Sequence, residues 1–191
     1  MPKKAITESD VIDIDSYIKD RDSIKKKIKE HKNNRRVHVG PHATFYFESY
    51  DTMLYQVQEM LYIERGGREQ LQDELKAYNP LIPTGKSLVV TLMFEVDNPN
   101  VRKKFLNSIG GIENNTFIQV GNQKIYSRAE DDTNRTNEEG KASSVHFLHF
   151  DFDEPQIKLF SDMSLDVSLA FDHENYHHIS SLSSMAKKSL V

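Results

Sequence analysis

The sequence predicts an α+β fold, mostly antiparallel sheet packed against a long helix pair, in a single domain. Three observations carry this. Two long stretches place apolar residues at helical spacing. Several short segments alternate apolar and polar residues or are apolar throughout, as strands are. The 191 residues, 37% hydrophobic and 28% charged, suit one domain with its own core.

The first helix is expected over about 10–33, where Ile14, Tyr17, Ile18, Ile24 and Ile28 recur among lysines. A strand over about 35–48 is broken at Gly40-Pro41, because proline has no N–H to donate to a ladder. Beyond the break, Ala43, Phe45 and Phe47 share one face; His42, Thr44, Tyr46 and Glu48 share the other. Asp51 or Thr52 caps the second helix, which runs to Gly66-Gly67 and continues from Arg68 to Tyr78. The run 87–96, apolar on both faces, reads as a central strand, and Asn98-Pro99 opens a short helix closed by Gly110-Gly111. Segments 116–120 and 123–128 flank Gly121-Asn122, a hairpin signal. Residues 145–152 read as a strand, 155–160 as a short helix, and 165–171 as a half-buried strand. The organisation expected is an N-terminal helix (1–34), an α/β half (35–128), a polar mobile loop (129–142), C-terminal strands (143–180) and a tail (181–191), which is a weak helix or frayed.

Composition excludes several classes. A net charge of -4, from 25 basic and 29 acidic side chains, argues against nonspecific nucleic-acid binding, which needs a positive field. No run of about 18 apolar residues is present, so no membrane-spanning helix is expected. The N-terminal lysines lack a following apolar stretch and do not form a signal peptide. Cysteine is absent, which removes disulfides, thiolate metal sites and cysteine nucleophiles. The chain reads as cytoplasmic.

The polar residues within apolar elements are the candidates for function. Thr52, Gln56 and Glu59 fall on one line of the second helix, bordered by Tyr55, Tyr62, Met53 and Met60. A carboxylate in that setting must be paired or tend to keep its proton. Arg35, Arg36 and His42 are its expected partners. Glu59 then either lines a pocket or forms a structural ion pair. Eight histidines are present. His146 shares a strand face with Leu148, Phe150 and Phe152; His149 lies on the opposite face; His173, His177 and His178 follow the last strand. No HExxH, Walker, GxGxxG or GxSxG pattern occurs. Three histidines with Glu48 or Glu59 could hold a divalent metal if the fold gathers them, with His42, Glu59, His146 and His178 the candidate ligands.

The blocks Arg35-Arg36-Val37, Gly40-Pro41-His42, Phe47-Glu48, Asp51-Thr52, Gln56, Glu59-Met60, Glu74-Leu75 and Tyr78-Asn79-Pro80-Leu81-Ile82-Pro83 resemble a bacterial family, domain of unknown function 3501. So do Ser144-Val145-His146-Phe147-Leu148 and the closing His173, Tyr176 and His178. Tyr62-Ile63-Glu64 and Gly110-Gly111-Ile112-Glu113 are similar to its alphaproteobacterial branch. The resemblance spans nearly the whole chain, the tail being less regular than in the relatives. It implies no assigned reaction. It implies a role beside rubrerythrin and an iron–sulfur oxidoreductase, whose genes often neighbour the family's, and so an accessory or binding protein of an oxidative-stress or redox system. It also singles out a His/Glu pocket: His42, Glu48, Gln56, Glu59, His146, His173 and His178, with Tyr176 beside them. The alternative is a metal-dependent enzyme or metal-binding protein using that set. Homo-oligomerisation stays open.

Overall fold

The computed structural model describes residues 5–130 and 140–191. The fold is α+β, and its sheets are antiparallel throughout. Contacts divide the chain into two compact units. One comprises the described residues of Met1–Asn34 and Glu48–Gly85; the other comprises those of Arg35–Phe47 and Lys86–Val191. The break after Asn34 coincides with an expected boundary, while residues 35–47 group with a sheet completed only after residue 86.

The first unit is helical. Helix α1 (Ile14–Asn33) is capped by Asp13, whose carboxylate accepts from the Ser16 amide. Helix α2 (Tyr50–Glu64) packs on α1, and α3 (Gly67–Tyr78) packs on α2. The α2 cap is Ser49 rather than Asp51 or Thr52. Ser49 Oγ accepts from the Thr52 amide, and Thr52 Oγ1 accepts from the Ser49 amide, a reciprocal box that places the start two residues earlier. The α2 end is Arg65, in a left-handed conformation with φ 57°. Two side-chain amides pin the segment before α1. Asn79 accepts from the Ile6 amide and donates to its carbonyl, and Gln58 does the same for Ile12.

The second unit holds two sheets over one core. Strands β1 (Arg36–Val39), β2 (Ala43–Phe47), β3 (Ser87–Phe94), β7 (Val145–Asp151) and β6 (Arg128–Ala129) lie in that spatial order. The other sheet has the order β5 (Gln123–Tyr126), β4 (Thr116–Val120), β8 (Val167–His173), β9 (Tyr176–Ser181). Phe45, Leu92, Leu148 and Phe150 from the first sheet bury against Ile118, Leu169 and Phe171 from the second. Helices α4 (Pro99–Ser108), α5 (Glu154–Ser161) and α6 (Ser184–Leu190) add Leu106 and Phe160 to the same core, with Leu190 packed against it.

Three expectations change. The strand expected over 123–128 ends at Tyr126. At Ser127 the chain leaves one sheet for the other, with Ser127 N donating to Thr116 O and its hydroxyl to Glu113 O. A strand not marked in the sequence, β9, follows β8, and of the two readings of the tail the helix is found, as α6. Strand β9 escaped because it is an edge strand with His178 and Ser180 among its half-buried positions, leaving no apolar alternation to read. Helix α6 is anchored by buried Lys187, whose Nζ donates to the carbonyls of Asp162 (2.5 Å) and Leu165 (2.6 Å). Most of the loop expected over 129–142 falls outside the described residues. Of its ends, Ala129 is in β6, and Ala142 is buried with its amide bonded to Leu106 O.

Candidate functional site

The stripe on α2 does not converge on one pocket. Its three polar residues serve three different partners. Thr52 donates to buried Glu48 at 2.6 Å. Gln56 reaches the Tyr78 hydroxyl on α3 at 3.5 Å. Glu59 faces α1, where Arg21 Nε and Nη2 bind its two oxygens at 2.8 Å each and the Tyr17 hydroxyl donates at 2.5 Å. The partner of Glu59 is thus Arg21 rather than Arg35, Arg36 or His42. Tyr17 and Arg21 stand four apart on α1 and present both groups to one carboxylate. The two-pronged guanidinium and then the Tyr17 hydroxyl hold the Glu59 carboxyl below its ordinary value, outweighing the opposing effect of burial. Burial and the adjacent carboxylate raise the Tyr17 phenol. Glu59 is therefore a fixed anion, unsuited to general-base work near neutral pH. Tyr62 lies under both Arg21 and Arg65, at 4.6 and 5.2 Å from ring centre to guanidinium carbon.

Beside this network, α1, α2 and the pinned segment before α1 enclose a cleft of about 490 Å³. Ile12, Ile24, Ile28, Leu54 and Tyr55 supply its apolar wall. Polar groups enter at intervals: Lys27, His31 and Asp51, with Gln58 and Tyr17 deeper. The volume and the mainly apolar wall with a few polar groups match small-ligand sites. The sequence reading missed this cleft. Ile24 and Ile28 served there only as evidence of helical spacing, and nothing in the pattern shows that the Ile12 segment folds back to form a third wall.

In the second unit the histidine and tyrosine candidates form a clamp around one turn. Tyr176 is buried; its hydroxyl donates to Val39 O at 2.8 Å and accepts from the amides of His42 and Ala43 at 3.1 Å each. One phenol thereby closes the Gly40-Pro41-His42 turn. Gly40 has φ 71°, and a Cβ there would lie 2.6 Å from the His178 ring and 2.7 Å from the Tyr176 oxygen. The rings continue outward: His178 on Tyr176 at 4.5 Å, Tyr176 on Phe105 at 5.4 Å, and His42 on Phe105 at 4.9 Å. Such contacts add about 0.5–1.5 kcal/mol each beyond burial. Burial raises the Tyr176 phenol, so it stays neutral.

The remaining candidates have separate tasks. His146 is fully buried; its Nε2 bonds Ser143 O at 2.9 Å, and its Nδ1 lies 3.9 Å from Glu113. His173 Nδ1 accepts from the Asn175 amide, so Nε2 carries the proton donated to Gly110 O at 3.2 Å. Arg35 donates to the Ser189 carbonyl. Arg36 lies beside the Tyr46 hydroxyl. Among the described residues, no three histidine, aspartate or glutamate side chains are grouped to hold a metal. The candidate ligands His42, Glu59, His146 and His178 are instead occupied as ring contacts, an ion pair and a backbone bond. No helix among the described residues is long and apolar enough to cross a membrane.

No curated protein matches the chain. A solved structure, described as a novel protein of unknown function from Burkholderia pseudomallei K96243, is 31% identical with a TM-score of 0.90, over 97% of this chain and 97% of that one. The family described as "Protein of unknown function (DUF3501)" matches residues 5–191. The chain belongs to that family.

Proposed function

We propose that this protein is a binding or accessory protein rather than a catalyst, and that the α1–α2 cleft is where it binds. The carrying observation is that cleft, about 490 Å³ with mainly apolar walls. Three of the candidate acid–base groups are already committed: Glu59 to Arg21 and Tyr17, His173 to Gly110, and His146 to Ser143. The partner proposed is the one the family resemblance implies, a rubrerythrin or iron–sulfur oxidoreductase of a redox or oxidative-stress system. A chain without cysteine brings no thiol or cysteine-ligated cluster to such a system, which suits an accessory role.

Calorimetric titration of the purified chain with the rubrerythrin-type protein of the same organism tests this. Saturable binding is expected, weakened at least about tenfold by Ile28→Asp, a loss of roughly 1.4 kcal/mol. No binding, or equal binding by the variant, contradicts the proposal.

A further inference from the structure

The outer face of the β1–β2–β3 sheet carries a hydrogen-bonded chain that the cleft does not involve. Thr44 Oγ1 lies 2.5 Å from Glu95 Oε2 and 2.9 Å from His38 Nδ1. Tyr46 donates to the other Glu95 oxygen at 3.3 Å. The register explains the grouping: His38 pairs with Thr44 and Arg36 with Tyr46 across β1 and β2, so all four share a face. Thr44 is buried, whereas Arg36, His38 and Glu95 are exposed.

The proton positions follow from counting. A carboxylate only accepts, so the single Thr44 hydroxyl proton goes to Glu95. The hydroxyl oxygen must then accept from His38, and Nδ1 must carry the proton. In the neutral ring the lone pair is therefore on Nε2, on a residue that is exposed. A backed and oriented imidazole of this kind is usual where a histidine meets a ligand. Arg36 stands two residues away on the same edge strand, about 7 Å along it, and its guanidinium also meets the Tyr46 hydroxyl, leaving its other N–H groups for a ligand. That span fits a tetrahedral oxyanion accepting from the guanidinium through one oxygen and donating to Nε2 through a protonated one.

We propose that Arg36 and His38 form a site for a singly protonated phosphoryl group, free or in a monoester, with Thr44 and Glu95 as positioning residues that fix the His38 tautomer. The match is one acceptor for the P–OH proton and one fork of donors for the anionic oxygens. A carboxylate anion has no proton to give Nε2.

Imidazole nitrogen–proton correlation spectra of the full chain read the tautomer directly. Parallel titrations with inorganic phosphate and with O-phosphoserine, at constant ionic strength against chloride, read binding. The expected result is a His38 ring protonated at Nδ1 and a saturable shift of its resonances with at least one of the two, whichever binds tighter naming the source. Arg36→Ala should abolish saturation. Thr44→Val should lose the tautomer and weaken binding at least about fivefold, and Thr44→Ser should restore both. A His38 ring protonated at Nε2 overturns the proposal. So does a shift that is linear in phosphate, or one that Arg36→Ala leaves unchanged.

Discussion

The Glu59 network of the first unit and the Tyr176 clamp of the second solve the same problem in opposite ways. Each satisfies polar groups within an apolar setting. The first does so with full charges on two helices, a guanidinium forked onto a carboxylate. The second does so with neutral groups, one phenol serving a carbonyl and two amides within a nest of rings. A partly exposed ion pair gains little net stability, because water and salt screen it. A buried neutral network is costly to break, because each orphaned group stays desolvated. The clamp should therefore hold the fold, and the ion pair should tune it.

Gly40→Ala is the strongest way to break that contrast. It combines a left-handed backbone with a Cβ 2.6 Å from the His178 ring. The expected loss is about 3 kcal/mol in urea unfolding, the sum of the backbone and overpacking costs. Tyr176→Phe comes next. It keeps the ring contacts but leaves Val39 O, His42 N and Ala43 N without their partner, for a loss of about 2 kcal/mol. If this variant unfolds like wild type, the hydroxyl is not the clamp.

Glu59→Gln should have the smallest effect and the one with a pH signature. The folded-state carboxyl is held below its ordinary value of 4.5, so the anion favours the folded state above that value. The advantage is lost as pH falls through the lower folded value. The difference in Tm between wild type and Glu59→Gln should be constant above about pH 5 and shrink below about pH 4. A difference that grows on acidification contradicts the pairing with Arg21 and Tyr17.

Local chemistry made much of the fold legible, and long-range pairing hid the rest. Pro41, Pro99 and Gly121-Asn122 marked breaks the structure keeps. His146 lies on the face that strand parity gave it, with Leu148 and Phe150, but His149 on the opposite face is buried as well. The Glu59 stripe was visible as an anomaly, but its partner was not. Tyr17 and Arg21 sit at helical spacing, yet spacing within α1 does not say which face of α2 it meets. His38 and Glu95 were overlooked for a similar reason: 57 residues separate them, and only the β1–β2–β3 register unites them through Thr44. Strand β9 carries half of the clamp and gave no periodic signal.

The central claim is that binding uses the α1–α2 cleft while the histidine–tyrosine set is structural. Methyl and imidazole NMR spectra of the chain, recorded with and without the rubrerythrin-type protein, read both regions at once. Shifts are expected at Ile24, Ile28 and Leu54, with the His42 and His178 rings unmoved. Shifts at those two rings with the cleft methyls unchanged would contradict it.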